Sequence, residues 1–99
     1  MARLDVYPNP DGAGWLADVQ AHLLSHMNTR VVVPLLPQSI APAPAQTLNP
    51  CFEVGGETVV MATQFMAAVP APILRDPITS LRSHRDEITA ALDFLMQGF

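Results

Sequence analysis

Ten of the 99 residues are proline, and their placement limits this chain more than any other feature. Proline has no N–H to donate and its ring obstructs the preceding helical turn, so it breaks helices and is excluded from central strands. Residues 37–50, PQSIAPAPAQTLNP, hold four of the ten. That density predicts an extended, solvent-facing excursion, with polyproline-like stiffness at Ala41, Pro42, Ala43 and Pro44. Pro70, Pro72 and Pro77 interrupt the stretch that follows Met66. Only the stretch after Pro77 reads as a convincing helix.

What lies between the prolines reads as strands. RLDVY (Arg3 to Tyr7) alternates, and PNPDG (Pro8, Asn9, Pro10, Asp11, Gly12) supplies turn chemistry. WLADVQ (Trp15 to Gln20) alternates imperfectly, and a second turn is expected near Met27 and Asn28. TRVVVPLL (Thr29 to Leu36) is a β-branched run that suits a strand buried on both faces. Pro34 inside it predicts an edge, a bulge or the strand's end. In CFEVGGETVVMA, two β-rich runs flank Gly55-Gly56, the pair a two-residue hairpin favours because its central positions need positive φ.

Ser83, followed three residues later by Asp86, resembles a capping box, and Glu87 adds negative charge to the same first turn. Beyond it Ile88, Leu92, Leu95, Met96 and Phe99 form a stripe at helical spacing, the face expected to pack on the sheet. Arg85, Thr89, Asp93 and Gln97, each four apart, form a polar ridge. Phe94 lies off the stripe, where a dimer or partner contact would explain it. The fold class is therefore α+β, mainly β: an antiparallel sheet closed or capped by one C-terminal helix, a single domain over residues 1–99.

Nearly half the residues are hydrophobic, which is rich for a monomer of this size and points to apolar surface shared with another chain. No apolar run approaches the ~20 residues of a membrane span. MARLDVYPNP lacks the apolar core of a secretion signal, so the expected location is cytoplasmic. Five Lys+Arg against nine Asp+Glu argue against a nucleic-acid groove, although Arg30, Arg75, Arg82 and Arg85 could form a local patch. A single cysteine excludes an intrachain disulfide and a Cys-based zinc site. Cys51 is expected to be a small core residue.

Chemistry is sparse. His22 and His26 have a ligand spacing but no third ligand near them, so no metal is expected. Ser83, His84 and Asp86 are the residue types of a hydrolytic triad, yet neighbours on one helical turn point in different directions. Gly55-Gly56 opens no helix, so it is a hairpin rather than a phosphate loop. Trp15 suits a core position at a strand edge. No catalytic residue and no cofactor emerge.

Read together, DVQ (Asp18 to Gln20) followed by VVVPL (Val31 to Leu35), then MATQFMAAVP (Met61 to Pro70), and finally LRSHRDEITAALDFLMQGF resemble the CcdB family, the toxins of plasmid-addiction toxin–antitoxin pairs. The likeness covers essentially the whole chain. It implies a homodimer of protomers with an SH3-like barrel core and a C-terminal helix. It also implies binding to the DNA gyrase A-subunit, which such toxins trap with its DNA cleaved, and neutralisation by a CcdA-like antitoxin. The target-facing positions would be Leu23 and Leu24 on a facing strand, Arg85, Asp86, Thr89 and Asp93 on the helix, and the terminal Gln97, Gly98 and Phe99. The antitoxin would meet Pro8 to Gly12, Ala41 to Pro44 and the MATQFMA region.

The family's final residues read Trp-Gly-Ile in its type member, so Gln97 stands where a Trp stacks on a gyrase arginine. Losing a desolvated cation–π contact of ~2 kcal/mol from each half of a dimer would cost roughly 4 kcal/mol, about a thousandfold in affinity. Two other readings follow. One is a CcdB-like protein that keeps its antitoxin but has lost or changed its target. The other is an endoribonuclease resembling MazF and Kid, with Arg30 or Arg85 as its cation beside an Asp or His.

Overall fold

The computed structural model describes residues 3–24 and 26–98, with the side chain of His22 also outside the described set. The seven described strands are β1 (Asp5–Pro8), β2 (Trp15–Asp18), β3 (Thr29–Pro37), β4 (Cys51–Val54), β5 (Glu57–Met61), β6 (Ala67–Pro70) and β7 (Thr79–Ser80). One helix, α1 (Arg85–Gln97), follows them. All paired neighbours are antiparallel, in the order β4-β5-β3-β2-β1-β7, with β6 joining β3. This is the mainly β sheet, curled nearly into a barrel and capped by one helix, that the sequence predicts.

Strand alternation sorts the side chains into two layers. Val6, Ala17, Val33, Leu35, Phe52, Val54, Val59 and Met61 point inward and form the main core with Ile88 and Ala91 of α1. On the opposite face Tyr7, Leu16 and Val32 pack under Leu74, with Val69 and Ile73 beside them. β3 is thus buried on both faces, as its β-branched run suggests. Trp15 packs, partly buried, against the main core.

Pro34 does not end β3. Residues 29–32 of the strand pair with β6 and residues 35–37 pair with β5 on the same side, while β2 runs along the other. Pro34 sits where β3 changes partners. Its carbonyl accepts the Ala62 N–H at 2.9 Å, and its missing donor falls in the gap between the two ladders. The hairpin at Gly55-Gly56 is as expected: φ is 60° and 79°, and Val54 pairs with Glu57 across a two-residue loop.

Several expectations are corrected. Cys51 is exposed, because β4 turns Phe52 and Val54 inward and Cys51 and Glu53 outward. The Ser83–Asp86 capping box does not form. Burial of Leu81 starts a 3₁₀ turn at Arg82–His84 that encloses Ser83 and leaves His84 at the helix start without a side-chain cap. His84 Nδ1 instead meets Glu87 Oε1 at 3.1 Å, and its ring lies 4.8 Å from that of Phe52. On α1 the packed face is Ile88, Ala91 and Leu92, whereas Met96, about 80° around the helix from Ile88, is 68% exposed. Phe99 lies outside the described residues.

Residues 37–50 form no helix or strand beyond the end of β3, but they are more tightly held than a free polyproline segment. The Ile40 and Ala41 N–H groups both donate to the Pro37 carbonyl at 3.0 Å. At the far end the buried Asn49 accepts the Ala45 N–H at 3.0 Å and donates to the Met61 carbonyl at 3.0 Å and to Gln64 Oε1 at 2.7 Å. Thr63 Oγ1 donates to the Leu48 carbonyl. Between these two ends Ala41 and Pro42 are half-buried, and Ala43 to Thr47 are exposed.

Candidate functional site

The outward ridge of α1 is built by its own periodicity. With Ile88 and Ala91 fixed on the core, Arg85, Thr89, Asp93 and Gln97 all fall on exposed positions, as does Asp86. Asp86 and Glu87 occupy the first turn, where the helix dipole favours negative charge. The ridge ends at Gly98, whose φ of 81° places it in the left-handed region and whose N–H donates to the Phe94 carbonyl at 2.9 Å. This close stops the helix directly after Gln97. Phe94, off the packed face, is 38% exposed, and Phe65 in the Thr63–Phe65 turn beneath the helix is 52% exposed.

Leu23 and Leu24 lie in a 3₁₀ turn, His22–Leu24, between β2 and β3 rather than on a strand. Leu23 is 87% exposed. The reason lies in how the β2–β3 ladder ends. Val19 donates to the Val31 carbonyl at 3.0 Å, but the reciprocal bond is absent. The Val31 N–H goes to Gln20 Oε1 at 3.1 Å, and the Val19 carbonyl accepts from Arg3 Nε at 3.3 Å. The strands part, and a short turn fills the opening.

Beneath this turn is a buried polar cluster. Arg30 donates through Nε and Nη2 to Asp18 Oδ2 at 2.9 and 2.6 Å, and both side chains are fully buried. Asp18 Oδ1 accepts the Gln20 N–H at 3.1 Å. Arg30 is therefore removed from any phosphate-binding patch and from service as a catalytic cation, while Arg75, Arg82 and Arg85 remain exposed. Burial, reinforced by the nearby Asp5 and Asp18 carboxylates and opposed by Arg30, pushes the Tyr7 phenol above its usual value of 10.0.

The candidate residues fall into separate groups. Pro8 to Gly12 connect β1 to β2, and the excursion leaves the end of β3 that pairs with the start of β2. These two segments share one end of the sheet, whereas Leu23 and Leu24 occupy the other end of the same ladder. An open cleft lined by Gln46, Thr47, Asn49, Pro50, Glu87 and Ala90 joins the excursion to the first half of α1. His26 is exposed, and no group of three or more His, Cys, Asp or Glu able to hold a metal exists among the described residues. No helix among them is long and apolar enough to cross a membrane.

Sequence reasoning missed the residues that hold these groups in place, Gln20 and Asn49. The available signal was a long polar side chain at the end of an alternating strand, and an Asn before a proline closing a loop.

The family model described as CcdB protein matches residues 3–98. No curated relative matches the chain.

Proposed function

The chain belongs to the CcdB family of toxin–antitoxin toxins, and we propose that it acts by stoichiometric binding to the DNA gyrase A-subunit, neutralised by a CcdA-like antitoxin. The observation that carries this reading is the ridge Arg85, Thr89, Asp93 and Gln97, wholly outward and closed by the left-handed Gly98. It occupies the positions that the resemblance assigns to the target. A binder needs no general base or nucleophile, only a fixed surface, so its potency follows its dissociation constant.

Exposed Phe65, Phe94 and Met96 support a second part of the proposal, a homodimer working in the cytoplasm. The antitoxin would bind the other end of the sheet, at Pro8 to Gly12 and Ala41 to Pro44. With both ends of the excursion hydrogen-bonded, that segment is offered with little ordering cost.

The test is binding of the purified protein to a gyrase A-subunit fragment, beside Gln97→Trp. Binding by the natural sequence, tightened in the variant, is expected, together with growth arrest and altered plasmid supercoiling on induction. Absence of binding by the natural sequence would overturn the gyrase reading. Gln97 itself favours one other reading, a chain that keeps its antitoxin and has left gyrase. Tight antitoxin binding with normal growth on expression would select it.

A further inference from the structure

Gln20 is a buried polar side chain whose two ends do different work. Its Oε1 accepts the Val31 N–H at 3.1 Å, and its Nε2 donates to the Leu24 carbonyl at 2.9 Å. The first bond replaces the missing rung of the β2–β3 ladder. The second grips the exposed turn from below. The Leu24 carbonyl also accepts the Met27 N–H at 3.1 Å, and the Leu24 N–H donates to the Ala21 carbonyl at 3.0 Å, so Leu24 is the point at which the turn is held. Gln20 is fixed in its own turn, because its N–H donates to Asp18 Oδ1 while Arg30 occupies Oδ2 of the same carboxylate.

We infer that Gln20 is a positioning residue for target recognition: seated on the buried Asp18–Arg30 pair, it sets the turn that presents Leu23 and Leu24. The functional half of this inference rests on the gyrase reading above; the structural half does not. A 3₁₀ turn of three residues has little stability of its own. Leu23 has almost no packing to hold it and is 87% exposed. Unpinned, the turn would have to be ordered during binding, and that cost would be subtracted from affinity.

The two ends of the amide allow a test that separates positioning from bulk stability. Gln20→Glu keeps an acceptor for Val31 and loses the donor to Leu24; Gln20→Met loses both. Amide exchange followed residue by residue should speed up about tenfold or more at Leu24 and Met27 in both variants. Val31 should lose protection only in Gln20→Met, and Val33 in the core should change in neither. Affinity for the gyrase A-subunit fragment should fall about tenfold or more, while affinity for the antitoxin, whose expected contacts at Pro8 to Gly12, Ala41 to Pro44 and Met61 to Ala67 do not include this turn, stays within about twofold.

Unchanged exchange at Leu24 and Met27 would overturn the inference. So would an equal loss of affinity for both partners, which is the signature of general destabilisation. Should the unaltered protein fail to bind gyrase at all, the gyrase reading falls and the exchange pattern alone still decides whether Gln20 holds the turn.

Discussion

Removing one member of the Asp18–Arg30 pair should be far more damaging than removing both. The carboxylate and guanidinium are fully buried, joined by bonds of 2.9 and 2.6 Å, and Arg30 Nη1 has no hydrogen-bond partner. Asp18→Asn leaves a buried cation without its counter-charge, and such a change costs about 3–5 kcal/mol. That is a large share of the ~5–15 kcal/mol available to a small domain. Arg30→Met should lose a similar amount, because the Asp18 carboxylate would keep only the Gln20 N–H. The double variant Asp18→Asn/Arg30→Met removes both charges and the unpartnered Nη1, while the new amide oxygen can still accept from Gln20. It should lie within about 2 kcal/mol of the unaltered protein, since paired buried charges gain little over apolar replacements. The measurement is urea unfolding at one fixed protein concentration, because any dimerisation adds a mass-action contribution to stability. A coupling energy of at least about 3 kcal/mol is expected from the cycle. If the two bonds acted only as ordinary charge-assisted hydrogen bonds, each single change would cost about 1.5–3 kcal/mol and the double no less than either. Single losses that add to within about 0.5 kcal/mol would refute the reasoning.

Three further outcomes are expected. Gly14→Ala should lower stability by at least about 2 kcal/mol in urea unfolding, because a Cβ there would sit 2.2 Å from the Leu35 carbonyl oxygen at a φ of +86°; Gly56→Ala, with open space around it, should lose only about 1 kcal/mol. Asn49→Leu should cost about 1–3 kcal/mol and open residues 41–48 to limited proteolysis, since the Ala45 N–H loses its partner and the Met61 carbonyl keeps only the longer 3.5 Å bond from Thr63 Oγ1. The raised Tyr7 value means that the folded state favours the neutral phenol, so this stabilisation is intact below pH 10.0 and fades as pH rises through the folded value. Absorbance at the phenolate band should titrate above 10.0 in the folded protein and near it in urea, and Tyr7→Phe should remove the alkaline loss of stability. Tyr7 is the single tyrosine, so the signal is unambiguous.

The features legible in the sequence were those with a local cause. Gly55-Gly56 forms its hairpin because the two-residue turn needs positive φ, and nothing distant alters that. The prolines of residues 37–50 exclude regular structure wherever the segment ends up. The helix ridge follows from spacing alone, once Ile88 is on the core. What could not be read depended on tertiary neighbours. Pro34 is tolerated inside β3 only because β5 and β6 leave a gap beside it. Cys51 faces outward by the parity of a strand whose register is set across the Gly-Gly turn. The capping box loses to a 3₁₀ turn because Leu81 is drawn into the core, and Met96 drops off the packed face because the core covers a narrower arc of α1 than the apolar residues span.

The buried polar groups of this chain share a single kind of task. Asp18, Arg30 and Gln20 fix the turn at one end of the β2–β3 ladder, and Asn49 with Thr63 fixes the loop at the other. None of them lies on the helix ridge. The ridge residues Arg85, Thr89, Asp93 and Gln97 are all exposed on α1, where substitutions typically change stability by less than about 0.5 kcal/mol. Frame and contact surface are therefore separable. A chain of this design can exchange its contact residues without disturbing what holds them. Specificity is a difference of affinities, and one stacked aromatic exchanged for an amide is enough to move it a long way. By the same reasoning, exchanging residues along the ridge should change which partner is bound and leave the unfolding midpoint where it was, whereas altering Gln20 or Asn49 should weaken whichever partner the adjoining segment meets.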